Sequence, residues 1–185
     1  MQQQEVWLTS DTHYGHANII EYSKRPYQSV QGMNESLIAN YNSVVRPGDL
    51  VYHLGDFGFA DEKSLEAILR RLNGEKVLVW GNHDKTLRNS ARLQGHFVKC
   101  LDYLEISVDK TRIVLCHYPM LSWNRMAHGS IMAHGHCHGN LRYPFKGRII
   151  DVGVDPQDYF QVNARNVVKR LADVEVEFLD HHIGD

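Results

Sequence analysis

The chain has few cysteines. Cys100, Cys116 and Cys137 are odd in number and show no CxxC spacing, which leaves neither a disulfide framework nor a paired-cysteine zinc motif. Long hydrophobic runs are missing too, since no window approaches the ~20 apolar residues that span a bilayer. Residues 1–10, MQQQEVWLTS, lack the basic start and apolar stretch of a secretory signal. The expectation is a reduced, cytoplasmic protein with no membrane partner. Charge of one sign is also lacking. Lys and Arg number 20 and Asp and Glu 22, a formal net charge of -2, so no global basic field draws the chain to nucleic acid or anionic lipid. Nor is there a repeat, a low-complexity tract or a linker. The 185 residues therefore read as one domain over 1–185, large enough for a substantial core.

Histidine is what the chain has in excess, with twelve. Three stand in AHGHCHG, residues 133–139, at His134, His136 and His138. In an extended segment these alternate positions share one face. Each ring brings polar nitrogens that need a partner, and metal coordination would supply one.

Short apolar runs alternate with helical patterns. Residues 5–9, 50–54, 76–80, 112–116 and 130–133 read as strands, mostly buried, and 103–108, 148–152 and 174–179 as further strands. Helices are predicted over 33–44, over 61–72 with Asp61 as cap, and over 163–171 with Asn163 as cap. This mixture predicts an α/β fold with helices covering sheets.

The residues after the strands are the most informative. The run VWLTS leads into Asp11-Thr12-His13, LVYHLG into Asp56, VLVWG into Asn82-His83-Asp84, RIVLC into His117, and IMAHG into His136 and His138. Five apolar runs thus each end in a candidate metal ligand, where α/β scaffolds present functional groups.

These motifs resemble those of the calcineurin-like metallophosphoesterase superfamily: D-x-H at 11–13, G-D at 55–56, G-N-H-D at 81–84, His117, and G-H-x-H at 135–138, all in the family's order. The strings DTHYGHANII, VYHLGDFGFA and CHYP look like its small, capless bacterial and phage-type members. The resemblance implies a four-layer αββα sandwich of two mixed sheets flanked by helices, holding two metal ions. Carried over, Asp11, His13 and His138 bind the first ion, Asn82, His117 and His136 the second, and Asp56 bridges them. Two cations against two carboxylates leave the net positive site that a phosphoester needs. Mixed imidazole and carboxylate ligands suit Mn, Fe, Co, Ni or Zn, with Mn favoured. The remaining motif histidine, His83, is placed near the leaving group as catalytic acid or charge stabiliser.

One departure is plain. The protein-phosphatase branch carries GDxxDRG, whereas this chain reads Gly55-Asp56-Phe57-Gly58-Phe59-Ala60, which argues against a dedicated Ser/Thr protein phosphatase. His16, Arg25 and Arg125 are candidate substrate-binding residues, the two arginines as phosphate-binding lid residues. Asp84 is read as orienting His83 or a ligand, or as a helix cap. Asp151 and Asp155 are read as shaping a loop, with support of a ligand as a further role. His53 and His134 are expected in the core or behind the ligands, Cys137 as an inert thiol, His128 in loop packing, and His96, His181 and His182 in solvent. The function expected is a binuclear metal-dependent phosphohydrolase, most naturally a phosphodiesterase on small phosphoesters, nucleotides or nucleic-acid ends. The alternatives are a broad phosphomonoesterase and, from another class, a non-catalytic metal-binding scaffold.

Overall fold

Strands that must be buried on both faces read as continuous apolar runs, and the structure places them accordingly. The computed structural model describes residues 3–177. In the first sheet β1 (Val6–Thr9), β2 (Leu50–His53), β3 (Glu75–Val79) and β4 (Lys99–Leu101) are parallel. The second sheet holds β5 (Leu104–Val108), β6 (Thr111–Leu115), β7 (Ile131–His134) and β8 (Ile149–Asp151). There β5 is antiparallel to β6 and the others run parallel. The last strand, β9 (Val162–Asn163), returns antiparallel to β1, giving the orders β4-β3-β2-β1-β9 and β5-β6-β7-β8. Both sheets are mixed, as expected.

Leu8, Leu54 and Val79 of the first sheet meet Ile113, Leu115, Ile131, Ala133 and Ile150 of the second in the inter-sheet core. Six helices accompany the sheets among the described residues: α1 (Ile19–Tyr22), α2 (Val30–Val44), α3 (Glu62–Leu69), α4 (Lys85–Arg88), α5 (Ala91–Gln94) and α6 (Ala164–Leu171). Met33, Leu37, Ile38 and Tyr41 of α2, with Leu65, Ile68 and Leu69 of α3, cover the outer face of the first sheet. On the second sheet, Val114, Cys116, Met132 and Ile149 point outward beneath Trp123 and Met126. That layer is a loop with one 3-10 turn, Met126–His128. No described helix is long and apolar enough to cross a membrane.

Capping explains the helix starts. Asp61 and Asn163 accept from the N–H groups of Ser64 and Arg165 at 2.9 and 3.0 Å, as expected. Ser29 accepts from the Gly32 N–H, so α2 begins three residues before the predicted start at 33. The predicted strand over 174–179 is a correction: residues 174–177 form no ladder, and a single backbone bond joins Glu177 to Lys146. Its last two residues, like His181 and His182, lie outside the described residues.

Because β1, β2 and β3 are parallel, and β6 and β7 likewise, the loops leaving their C-terminal ends share one rim. Backbone bonds at 3.0 Å from Asp11 to Gly55, His13 to Asp56 and Gly135 to His117 lock neighbouring loops together, and Ser10 bridges to Gly153 between the sheets.

Candidate metal centre

The rim brings together all of the predicted metal ligands. Nε2 of His13 lies 3.5 Å from Asp56 Oδ2, and Nε2 of His117 lies 3.7 Å from the same oxygen. The other oxygen, Oδ1, accepts from the His83 backbone N–H at 2.8 Å. Ligand atoms of Asp11, His13 and His138 lie within 4.8 Å of one another, as do those of Asp11, Asp56 and His117. The Asn82 carbonyl oxygen is 3.0 Å from His117 Nε2 and 3.1 Å from His136 Nδ1.

These atoms fit a divalent cation. Among the described residues, Asp11 Oδ1 and His13 Nε2 are buried without a hydrogen-bond partner, a costly arrangement unless a ligand satisfies them. Burial, reinforced by Asp56, pushes the Asp11 carboxyl up to about 8 against the pull of His138. Burial likewise holds His13 and His117 below the ordinary histidine range, so both imidazoles are neutral and free to ligate. The opposite nitrogens are engaged. His117 Nδ1 donates to the Leu54 carbonyl at 2.7 Å, and His13 Nδ1 lies 3.3 Å from His16 Nδ1. Fixing one nitrogen aims the other into the site.

His138 is held most firmly. Its Nδ1 donates to Asp155 Oδ2 at 2.6 Å, and Asp155 receives both Nε and Nη2 of Arg25 at 2.8 Å. Burial opposes a charged His138, but Asp155 and Asp11 outweigh it and hold its pKa above the usual value. Arg25 also donates to the carbonyls of Asp11 and Thr12, at 2.7 and 3.0 Å. Arg25 is therefore a correction: its side chain is fully buried beneath the ligand loop and belongs to no lid. Arg125 is a second correction. With His128 it lines a cavity beside Thr111, Arg112, Ser130 and Arg148, at the starts of β6, β7 and β8 and so at the end of the sheet away from the ligands.

Asp84 orients loops. Its carboxylate accepts the backbone N–H groups of Asp56, Phe57 and Gly81 at 3.0, 2.8 and 2.8 Å, tying the G-D loop to the G-N-H-D loop. The motif glycines are explained by this closeness. A Cβ at Gly81 would strike Asp56 Oδ1, and one at Gly135 would strike Ser10 Oγ and Asp11 Oδ2. Asp11, His13, Asp56, His136 and His138 all have left-handed backbone, with φ of 55°, 50°, 54°, 69° and 48°, strain that collects at functional sites.

The remaining motif histidine, His83, is exposed, and its imidazole makes no hydrogen bond among the described residues. Its ring centroid is 5.5 Å from that of His13 and 6.3 Å from that of His16. His16 is half-buried beside it. His134 is no ligand: it is buried, with its ring nitrogens on the Gly135 carbonyl and the Tyr143 hydroxyl at 2.7 and 2.6 Å. His53 is a core histidine on Thr12 Oγ1 at 2.9 Å. Asp151 shapes its loop through the Gly153 and Gly139 N–H groups. Exposed Phe59 and Tyr118, which flank the centre, carried no recognisable signal in the sequence because exposed aromatics have no periodicity.

Comparison with known proteins finds relatives over most of the chain. The chain is 38% identical over 178 residues to the Methanocaldococcus jannaschii protein MJ1445, covering 92% of this chain and 93% of that one. It is 30% identical over 161 residues to the gene 66 protein of Mycobacterium phage D29, covering 74% and 79%. The solved structure of AQ665 from Aquifex aeolicus superposes with a TM-score of 0.71 at 27% identity, covering 91% of this chain and 100% of that one. Residues 5–146 match the calcineurin-like phosphoesterase superfamily domain, and the chain belongs to that superfamily.

Proposed function

We propose that the chain is a binuclear metal-dependent phosphodiesterase acting on nucleotide or nucleic-acid-type phosphoesters. One observation carries the reading: a single oxygen, Asp56 Oδ2, stands between two imidazole nitrogens at 3.5 and 3.7 Å, while Oδ1 is retained by a backbone N–H. In this reading Asp11, His13 and His138 hold one divalent ion, Asn82, His117 and His136 the other, and Asp56 both. The mixed imidazole and carboxylate set can hold Mn, Fe, Co, Ni or Zn, and Mn is the ion favoured in this reading. When bound, such ions supply Lewis acidity toward the phosphoryl oxygens and acidify water. The chain's own residues do the rest. Neutral Asn82 adds a ligand without a charge that would repel phosphate. His83, exposed beside His13, is free to give a proton or hydrogen bond to the leaving oxygen. Arg25 and Asp155 keep the first ligand loop rigid. The three cysteines are free, in keeping with a reducing cytoplasm.

The test is a panel of mono- and diesters given to chelator-stripped protein reloaded with Mn, with elemental analysis alongside. About two ions per chain and faster hydrolysis of diesters are expected. Saturation at one ion, or hydrolysis of monoesters alone, would overturn the reading.

A further inference from the structure

Exposed aromatic rings are ordinarily scattered, yet several on this chain border the metal centre. Phe59 is 55% exposed, Tyr22 72% and Tyr118 46%. The Phe59 centroid lies 4.9 Å from that of His16 and 6.0 Å from that of His83, and Tyr22 meets His16 at 6.3 Å. At the other end, Tyr118 lies 4.9 Å from His117 and 4.8 Å from His136. Ordered by contact, the sequence is Phe59, His83, His13, Asp56, His117, Tyr118. The centre thus has an aromatic ring at each end.

The backbone makes both positions rigid. Phe59 donates its N–H to the Tyr14 carbonyl at 2.8 Å, and the isolated Tyr14–Gly58 bridge pins the loop beside it. Phe57, two residues earlier, is buried against Tyr14, whereas Phe59 stands at the surface against His16 and His83. Tyr118 comes directly after the ligand His117, and its hydroxyl lies 3.4 Å from the Asn82 carbonyl oxygen. An exposed ring on rigid backbone loses little entropy when a second ring packs on it.

Building on the phosphodiesterase reading, we infer that Phe59 and Tyr118 are two ring-binding subsites, one for each ester substituent. The substrate class is then a phosphodiester carrying an aromatic or heteroaromatic ring on both sides, as an internucleotide linkage does. A monoester has one substituent and would leave one ring unused. Since His83 serves the leaving oxygen in this reading and stands beside Phe59, the leaving group belongs to the Phe59 side. The retained substituent belongs to the Tyr118 side.

Binding and kinetics test this together on Mn-loaded protein. Dimethyl-, methylphenyl- and diphenylphosphinate have no ester bond to cleave and carry none, one and two rings. Calorimetry should give a dissociation constant that tightens about tenfold with each ring, the scale of aromatic stacking. Phe59→Ala and Tyr118→Ala should each abolish one such step, while Tyr118→Phe retains it. With methyl 4-nitrophenyl phosphate, whose ring is on the leaving side, Phe59→Ala should raise KM about tenfold more than Tyr118→Ala does. Equal affinity for the three phosphinates, or loss of affinity in Tyr118→Phe equal to that in Tyr118→Ala, would overturn the inference. Absence of any diester hydrolysis by the unaltered protein would instead overturn the phosphodiesterase reading, and the leaving-side assignment with it.

Discussion

Replacing Asp155 by Asn should damage one half of the metal centre and spare the other. Asp155 accepts two bonds from Arg25 and one from His138 Nδ1, all between 2.6 and 2.8 Å. An Asn there keeps one carbonyl acceptor, and its amide nitrogen must face another donor. The Arg25 side chain is fully buried, so its charge would keep the carbonyls of Asp11 and Thr12, the sulfur of Met33 and at most one bond to the Asn side-chain oxygen. Breaking a buried ion pair from one side costs about 3–5 kcal/mol. Loss of the carboxylate behind a ligating histidine costs about 10–100-fold in metal affinity, or roughly 1.4–2.7 kcal/mol. Calorimetric titration of Mn into stripped protein should show one binding event weakened by that factor, with the event assigned to Asn82, His117 and His136 changed less than about threefold. Asp49→Asn is the control, because it removes a buried, multiply bonded carboxylate remote from the ligands. If both variants weaken both events alike, the loss is general instability and Asp155 does not position His138.

Asp84→Ala strips three buried N–H groups of their acceptor and should cost about 3 kcal/mol or more in urea unfolding; an unchanged midpoint would refute its role as the tie between the two loops. His83→Ala should retain both ions yet lose about 10²–10⁴ in rate, more for alkoxide than for nitrophenoxide leaving groups, and a flat loss across the series would refute the acid role. Burial pushes Asp49 up, but the N–H groups of Arg46 and Glu5, the Arg46 guanidinium and the Trp7 indole outweigh it and hold the carboxyl at about 2. Its folded pKa lies below the unfolded ~3.9, so its stabilisation is present above about pH 4 and is lost as pH falls toward 2. Allowing for the exposed Arg46 side chain, that is about 1–2 kcal/mol, and acid unfolding of Asp49→Asn should lack it. At His136, exposed with φ of 69°, the metal-free Gly variant should be more stable than the Ala variant by about 0.5–1 kcal/mol, and the reverse order would mean that the turn relaxes once its ligand is gone.

Much of this was legible in the chain, for physical reasons. Doubly buried strands read as apolar runs, and β1, β2, β3, β6 and β7 each lead into a ligand because their parallel ends share a rim. Asp61 and Asn163 announced their helices because capping is local. By contrast, Arg25 looked like an exposed phosphate clamp; nothing local says that its partner is Asp155, 130 residues away. Arg125 has the residue type of a phosphate-binding lid, but β7 lies between it and His136 and carries the two to opposite ends of the sheet. The strand expected over 174–179 had the alternation of a strand but no neighbouring edge to pair with among the described residues. Short β4 was missed because three residues, none of them fully buried, carry no periodic signal.

The centre is built against its own stability. Asp11 and Asp56 are both buried beside the imidazoles of His13 and His117, and Asp11 Oδ1 has no hydrogen-bond partner among the described residues. Five of the ligand residues sit in left-handed backbone, at about 1–2 kcal/mol each for residues other than glycine. What imposes it is convergence. Asp11 and His13 must face one point from within three consecutive positions, as must His136 and His138, and a helical backbone would send at least one of each pair elsewhere. The surrounding structure holds the turns in place through Arg25 on the Asp11 and Thr12 carbonyls, Asp84 on the Asp56 N–H, and Asp11 itself on the His136 N–H at 2.9 Å. A site whose rigid, buried hydrogen bonds keep unpartnered acceptors in place fits a cation, and the binding energy of such a cation would offset the strain.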